Sequence, residues 1–381
     1  MKPGRSIPLD ALRGLAALSV VLFHVWAYAR PVPGSTLETI PDKLLNEGRL
    51  GLILFFVLSG YLLYRPWAGA ALEGTPAPST GRYAVRRAAR IIPAYYLAIL
   101  GSVALLWGAA DTPGVELPPA WGLPLFFVFG QNLSSATLLT LDPPTWTLAI
   151  EAAFYLALPL IGWIGLRRAR RRNAQLALVA GLFALGLAWN ALTGPVFPYF
   201  KLLPAALPYF AAGMLVAVLC NRGRPSRRLA ALLLAAGLLA VAADGLMHVG
   251  VVHGPLARLF STTIRDSLGG LGFAAILAAA LAVEGHERSP AWRPLAAVGT
   301  VSYGLYLWHL PLLLWLRSVG ALPLDLLGGL AVVLPVSLAV AALSWFAVER
   351  PLLRWAHSLT PRRAPAIAAP KRASEVRYVQ G

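Results

Sequence analysis

The chain has 381 residues, of which 58% are hydrophobic and only 13% are charged. In soluble domains about a quarter of the residues are charged. This composition therefore excludes an ordinary soluble protein and predicts an all-α, polytopic membrane helical bundle. The single cysteine excludes an intramolecular disulfide, and the six histidines lack metal-binding spacings, so we expect no metal.

Apolar runs bounded by charges, prolines and glycines predict about ten transmembrane helices. These runs cover approximately residues 10–29, 50–66, 91–108, 146–166, 174–192, 202–220, 228–246, 263–284, 296–317 and 325–347. The stretch 121–138 is apolar but short and is broken by Pro124 and Gly130, so we interpret it as re-entrant or interfacial. Residues 1–358 then form one transmembrane domain, and residues 359–381 form a disordered, basic cytoplasmic tail.

Lysine and arginine are distributed unevenly between the two sides of these spans. With a cytoplasmic N terminus, 25 of the 33 basic residues lie inside, seven lie outside, and Arg13 lies within the membrane. The positive-inside rule therefore predicts that both termini are cytoplasmic, in an inner (plasma) membrane protein. The rule also accounts for the formal charge of +17, so we expect a lipid bilayer and no nucleic acid as partner.

The first span carries ionisable residues that lipid disfavours. Arg13 and His24 are eleven residues apart, which places them on one helix face about 16 Å apart along the axis, with Asp10 close to the same stripe. Ionisable residues within a span usually face a cavity and indicate a functional site. The alternative is that Arg13 snorkels to the headgroups and that His24 is a hydrogen-bonded, inert side chain.

Two basic residues precede the third span. Arg87 and Arg90 are three residues apart on one helix face. They are either topology signals or a clamp for phosphate groups, which guanidinium groups bind bidentately. In the second span, Ser59 and Gly60 are typical of a packing contact between helices.

Glu151 lies about five residues into the fourth span, at about the predicted depth of His24. A carboxylate at that depth can orient an imidazole for general-base catalysis. The alternative is a glutamate in the first turn of a helix that Thr145 or Thr147 caps. The ninth span adds three polar side chains that could support such a site, Ser302, Tyr306 and His309.

Six motifs combine these residues, and they occur in the order LDALRGLAALSVVLFH, FFVLSGYLL, RRAARIIPAYY, TWTLAIEAAFYLALP, SYGLYLWHLP and FAVERP. Together they resemble the acyltransferase 3 family of integral membrane O-acyltransferases, over nearly the whole chain. The resemblance implies an acyl group taken from cytoplasmic acyl-CoA, with acetyl-CoA as the expected donor. It also implies His24 as catalytic base, Glu151 in the site, and Arg13, Arg87 and Arg90 at the donor.

A mechanism follows from this resemblance. The arginines would hold the phosphates of CoA, and His24, oriented by Glu151, would deprotonate an acceptor hydroxyl while Tyr306 or Ser302 stabilises the oxyanion. A transient acyl-His24 remains the alternative. The expected acceptor is a carbohydrate or glycolipid, with a macrolide as a further class.

Two expectations concern the protein as a whole. Because no SGNH-type domain follows the tenth span, we expect the chain to act alone or with a partner. The alternative function is a proton-coupled transporter or flippase, which intramembrane Arg, His and Glu would also suit. Such proteins usually contain structural repeats, and none is visible in the sequence.

Overall fold

A computed structural model describes residues 6–30, 39–248, 254–255, 259–284 and 292–359. Within these ranges the chain is helical, with no β-strand, and nine helices are long and apolar enough to cross a membrane. The predicted all-α, polytopic membrane bundle is therefore confirmed. The predicted tail, residues 359–381, falls outside the described residues except for Leu359.

Ten of the helices correspond to the predicted spans, and the three short helices α2, α5 and α13 are additional. In chain order they are α1 (Ile7–Tyr28), α2 (Ile40–Asn46), α3 (Gly51–Glu73), α4 (Thr80–Leu106), α5 (Leu123–Phe127), α6 (Trp146–Arg168), α7 (Arg172–Thr193), α8 (Leu203–Leu219), α9 (Arg227–His248), α10 (Ser267–Ala282), α11 (Trp292–Ser318), α12 (Leu326–Ser344) and α13 (Arg350–Leu359). Helix α10, at the predicted eighth span, has 16 residues and is shorter than the other spans. A π-helical turn, Trp345–Glu349, joins α12 to α13.

The start of α4 differs most from its prediction. The helix begins at Thr80, where the side chain of Ser79 accepts a hydrogen bond from the backbone N–H of Arg82. This N-cap lets the polar residues before the apolar run continue the same helix. Arg87 and Arg90 therefore lie inside α4, and hydropathy alone could not find that boundary.

Helix α1 packs along α11 at a distance that only glycine permits. A Cβ atom at Gly299 would lie 1.7 Å from the carbonyl oxygen of Asp10, and one at Gly14 would lie 2.1 Å from that of Leu295. Small residues at such contacts let two membrane helices approach closely. The contact sets the distance between the two helices ten residues before His24 on α1 and ten residues before His309 on α11.

The stretch 121–138 forms short helical segments and no continuous span. The hydroxyl of Tyr95 donates to the carbonyl of Phe126 at 2.9 Å, and the hydroxyl of Tyr96 donates to the carbonyl of Phe127 at 2.6 Å. Backbone carbonyls of this irregular stretch thus accept hydrogen bonds from protein side chains, as the re-entrant or interfacial interpretation requires.

Candidate active site

A cavity of about 230 Å³ lies between α1, α3, α4, α6 and α11. Apolar side chains of α3 form much of its wall, and polar side chains from all five helices face it. Six of the nine predicted site residues line it, namely Arg13, Arg87, Arg90, Glu151, Ser302 and Tyr306. The structure thus brings these six residues together at one cavity, and Asp10, His24 and His309 do not line it.

The charge of the cavity is strongly positive. Arg13, Arg87 and Arg90 face it together with a single carboxylate, that of Glu151. Arg13 forms an ion pair with Asp10, in which Asp10 Oδ1 lies 2.8 Å from Arg13 Nη1. The two residues therefore lie on one helix face, as the sequence periodicity predicted. Neither Arg87 nor Arg90 forms an ion pair within the described part of the chain. Uncompensated guanidinium groups in a partly apolar cavity favour the binding of an anion.

Glu151 is fixed from α3. Its Oε1 accepts a hydrogen bond from the Ser59 hydroxyl at 2.5 Å. The serine that sequence analysis treated as a packing residue thus has a polar role at the cavity. The interruption of an apolar span by Ser59 was the available signal, but small residues at helix contacts give the same pattern.

His24 is paired with His309. The distance from His24 Nδ1 to His309 Nε2 is 3.0 Å, and the ring centroids are 4.9 Å apart. The expected pairing of His24 with Glu151 is therefore corrected: the hydrogen-bonding side chain is His309, and Glu151 bonds to Ser59. The sequence placed both residues at one depth, but it could not show which helix face meets His24.

Backbone carbonyls fix the tautomers of this pair. His309 Nδ1 lies 2.8 Å from the carbonyl oxygen of Tyr306 and 3.1 Å from that of Leu305, so this nitrogen carries the proton. Nε2 of neutral His309 is then an acceptor, and the proton in that contact belongs to His24 Nδ1. His24 Nδ1 also lies 3.0 Å from the Val20 carbonyl oxygen, which accepts from the same N–H. In the neutral pair, His24 Nε2 therefore carries the free lone pair.

Tyr306 separates the histidine pair from the cavity. Its ring lines the cavity and lies 5.9 Å from the His309 ring, whereas His24 does not line the cavity. The hydroxyls of Tyr306 and Thr147 are 2.7 Å apart, and both are 2.9 Å from the carbonyl oxygen of Pro144. The Ser302 hydroxyl donates to the Gly299 carbonyl. Both predicted oxyanion donors are thus engaged with backbone groups.

One cluster outside the cavity has the composition of a metal site. Candidate ligand atoms of Asp244, His248 and Asp266 lie within 4.8 Å of one another. However, Asp266 Oδ1 already accepts a hydrogen bond from Arg49 Nη1 at 2.6 Å. A guanidinium group at that oxygen opposes a second cation there, so the expectation of no metal stays a prediction.

Comparison with known families gives a direct assignment. The profile of the acyltransferase domain of the acyltransferase 3 type matches residues 7–348. The chain belongs to the acyltransferase 3 family. Membership makes this chain an acyltransferase and does not favour the transporter alternative.

Several curated relatives align over most of this chain. It is 28% identical over 338 residues to peptidoglycan O-acetyltransferase OatA of Listeria monocytogenes, covering 80% of this chain and 49% of that protein. It is 26% identical over 375 residues to nodulation protein 10 of Rhizobium leguminosarum bv. viciae, covering 93% and 95%. The chain thus spans about half the length of the Listeria relative. No solved structure matches the chain.

Proposed function

We propose that this acyltransferase is an inner-membrane O-acyltransferase that moves an acetyl group from cytoplasmic acetyl-CoA to a hydroxyl of a carbohydrate or glycolipid. The observation that carries this proposal is the convergence of Arg13, Arg87 and Arg90 on one cavity that ends near a neutral histidine pair. Relatives named peptidoglycan O-acetyltransferases support a glycan acceptor.

The three arginines are the proposed donor-binding residues. CoA carries several phosphate groups, and guanidinium groups bind phosphate oxygens bidentately. Because Arg87 and Arg90 lie on the part of α4 that is predicted to be nearest the cytoplasm, the phosphates would stay at that end of the cavity. The apolar wall from α3 suits the uncharged pantetheine arm, which would carry the thioester toward Tyr306.

His24 is the proposed general base. Its Nε2 lone pair would take the proton from the acceptor hydroxyl as that oxygen attacks the thioester carbonyl. The new C–O bond forms, the C–S bond breaks, and the proton on His24 passes to the departing thiolate of CoA. His309 would act as a positioning residue, because it accepts from the His24 Nδ1–H together with the Val20 carbonyl and so favours the tautomer that leaves Nε2 free.

The same lone pair would serve a two-step route through an acyl-His24. In that route Nε2 attacks the thioester carbonyl and CoA leaves as the thiolate; the acceptor hydroxyl later attacks the acyl group, and its proton passes to the freed Nε2. Direct transfer needs the acceptor at the thioester during the first step, whereas the two-step route does not. Mass spectrometry after brief exposure to acetyl-CoA without acceptor distinguishes them, since only the two-step route adds an acetyl group to the peptide containing His24.

Replacement of His24 tests the proposal. In purified membranes with labelled acetyl-CoA, His24→Ala should lower transfer by about 10²- to 10⁴-fold, as loss of a general base does. Wild-type transfer should also decline in acid, because a protonated imidazole cannot accept the hydroxyl proton. His357→Ala is a matched control, since this histidine lies on α13, which contributes no residue to the cavity. A well-inserted His24→Ala protein with near wild-type transfer would refute the mechanism.

The donor site is tested by a double substitution. Arg87→Gln with Arg90→Gln should raise KM for acetyl-CoA strongly, because two charge-assisted contacts are lost. Arg168→Gln with Arg170→Gln removes the same charge from exposed positions that do not line the cavity. If both double variants show unchanged dependence on acetyl-CoA concentration, then Arg87 and Arg90 serve topology alone.

A further inference from the structure

A second cavity, of about 140 Å³, lies beside the first. Its charged lining residues are Arg49, Lys201, Arg265 and Asp266, which come from three segments far apart in sequence. These segments immediately precede α3, α8 and α10. The distribution of basic residues predicts that only seven of them lie on the outer side of the membrane, and these three are among the seven.

The charges of this second cavity do not cancel. Arg49 contacts two carboxylates, with Nη1 2.6 Å from Asp266 Oδ1 and Nη2 3.1 Å from Glu47 Oε2. Among the residues that the structure describes, Lys201 and Arg265 form no ion pair. A cation at the edge of a membrane bundle is costly without a counter-ion. Burial and the neighbouring Arg265 lower the pKa of Lys201 to about 7, so an anion bound in the cavity would stabilise the charged form of this lysine.

Hydrogen bonds, a ring contact and the local backbone conformation position the side chains of Lys201 and Arg265. Buried Asn132 donates both amide hydrogens, one to the carbonyl of Trp146 at 2.9 Å and one to that of Lys201 at 2.8 Å. The ammonium nitrogen of Lys201 then lies 3.4 Å from the centroid of the Trp146 ring. Arg265 has a positive φ of 50°, a conformation that non-glycine residues adopt at a cost and that clusters at ligand sites.

The two cavities share a wall. Leu52 and Phe56 line both of them. On α6, Trp146 and Ile150 face the second cavity, while the neighbouring Thr147 and Glu151 face the first. A ligand whose charged group lies in the second cavity could therefore extend a neutral part toward the reacting centre.

We propose that the second cavity binds an anionic group, a phosphate or a carboxylate, of the acceptor, with Lys201 and Arg265 as its counter-ions. This inference rests on the proposed function, because it assigns the acceptor to an acyltransferase with the donor in the first cavity. The acceptor would thus be an anionic carbohydrate or glycolipid, and its hydroxyl would approach across the wall that Leu52 and Phe56 form.

The test uses inorganic pyrophosphate as the probe, titrated into purified protein that is already saturated with CoA. Wild type and the control Lys43→Gln should bind it, and Lys201→Gln with Arg265→Gln should bind it about 100-fold more weakly, since each lost charged contact contributes about tenfold. The double variant should keep CoA binding and lose acetyl transfer in membranes. The charge-conserving Lys201→Arg protein should retain pyrophosphate binding, which separates charge from folding.

Each other result overturns the inference. Pyrophosphate binding that survives Lys201→Gln with Arg265→Gln, or that is lost in Lys201→Arg, would exclude the site. Lost binding with normal transfer, or displacement of pyrophosphate by phosphatidylglycerol, would identify a lipid headgroup instead of the acceptor. Failure of the wild-type protein to bind CoA would refute the proposed function, while the pyrophosphate measurement would still decide whether the second cavity binds an anion.

Discussion

His309 and the Val20 carbonyl both accept from the His24 Nδ1–H and so leave Nε2 free, and replacement of His309 should affect chemistry more than binding. His309→Ala removes one of the two acceptors of the His24 Nδ1–H, leaving only the Val20 carbonyl, and so weakens the preference for this tautomer and ring orientation. We expect a lower kcat with little change in KM for acetyl-CoA, and a loss smaller than the roughly 10²- to 10⁴-fold of losing the base itself. His309→Gln, whose amide oxygen can accept the same proton, should recover part of the activity. Equal losses in both variants would indicate a packing role.

Asp142 is a buried carboxyl group that precedes the turn leading into α6. Both of its oxygens are buried without a hydrogen-bond partner among the described residues, and burial raises its pKa well above the ordinary 3.8. Because the folded state then holds a proton that the unfolded state releases, stability falls as pH rises from 3.8 toward the raised pKa. Asp142→Asn mimics the protonated form, so thermal unfolding near neutral pH should shift upward and depend less on pH. An unchanged or lowered midpoint would contradict this.

At the scale of helices, the sequence was sufficient for some contacts and not for others. Hydropathy located every span because lipid requires long apolar runs, and the helical repeat correctly joined Asp10 to Arg13. The pairing of His24 with His309 depends on how α1 is rotated relative to α11. The sequence periodicity of a single helix gives no information about that rotation. The second cavity was missed for a related reason, since its cations come from three separate segments and were counted only for orientation.

The close contact of α1 with α11 gives a prediction at this scale. Gly299→Ala would place a methyl group 1.7 Å from the Asp10 carbonyl oxygen, so the helices must separate. Overpacking of this kind costs about 1–3 kcal/mol, and separation would misalign the histidine pair. We expect a lower thermal midpoint and reduced transfer. Gly181→Ala on α7 is the matched control, because nothing lies within 4 Å of a Cβ there. Equal behaviour of the two variants would refute the packing argument.

Across the whole molecule, the two cavities divide the proposed reaction between the two sides of the membrane. Arg87 and Arg90 face the first cavity from the first half of α4. Arg49 faces the second cavity and lies two residues before the start of α3. Since Arg49 precedes Ser59 by ten residues, it lies about 15 Å farther along the α3 axis than the Ser59 contact with Glu151. A donor from the cytoplasm and an acceptor on the outer side would then meet near Tyr306 without either crossing the bilayer.

This division depends on the predicted orientation, which cysteine labelling can test. In a Cys220→Ala background, Asp111→Cys and Arg170→Cys each introduce one exposed thiol, in the loops after α4 and α6. The charge asymmetry of 25 against seven basic residues predicts position 170 in the cytoplasm and position 111 outside. A membrane-impermeant maleimide should therefore label only Asp111→Cys in intact cells, and both proteins after permeabilisation. Labelling of Arg170→Cys in intact cells would invert the topology, and the arginine cavity could then no longer take its donor from the cytoplasm.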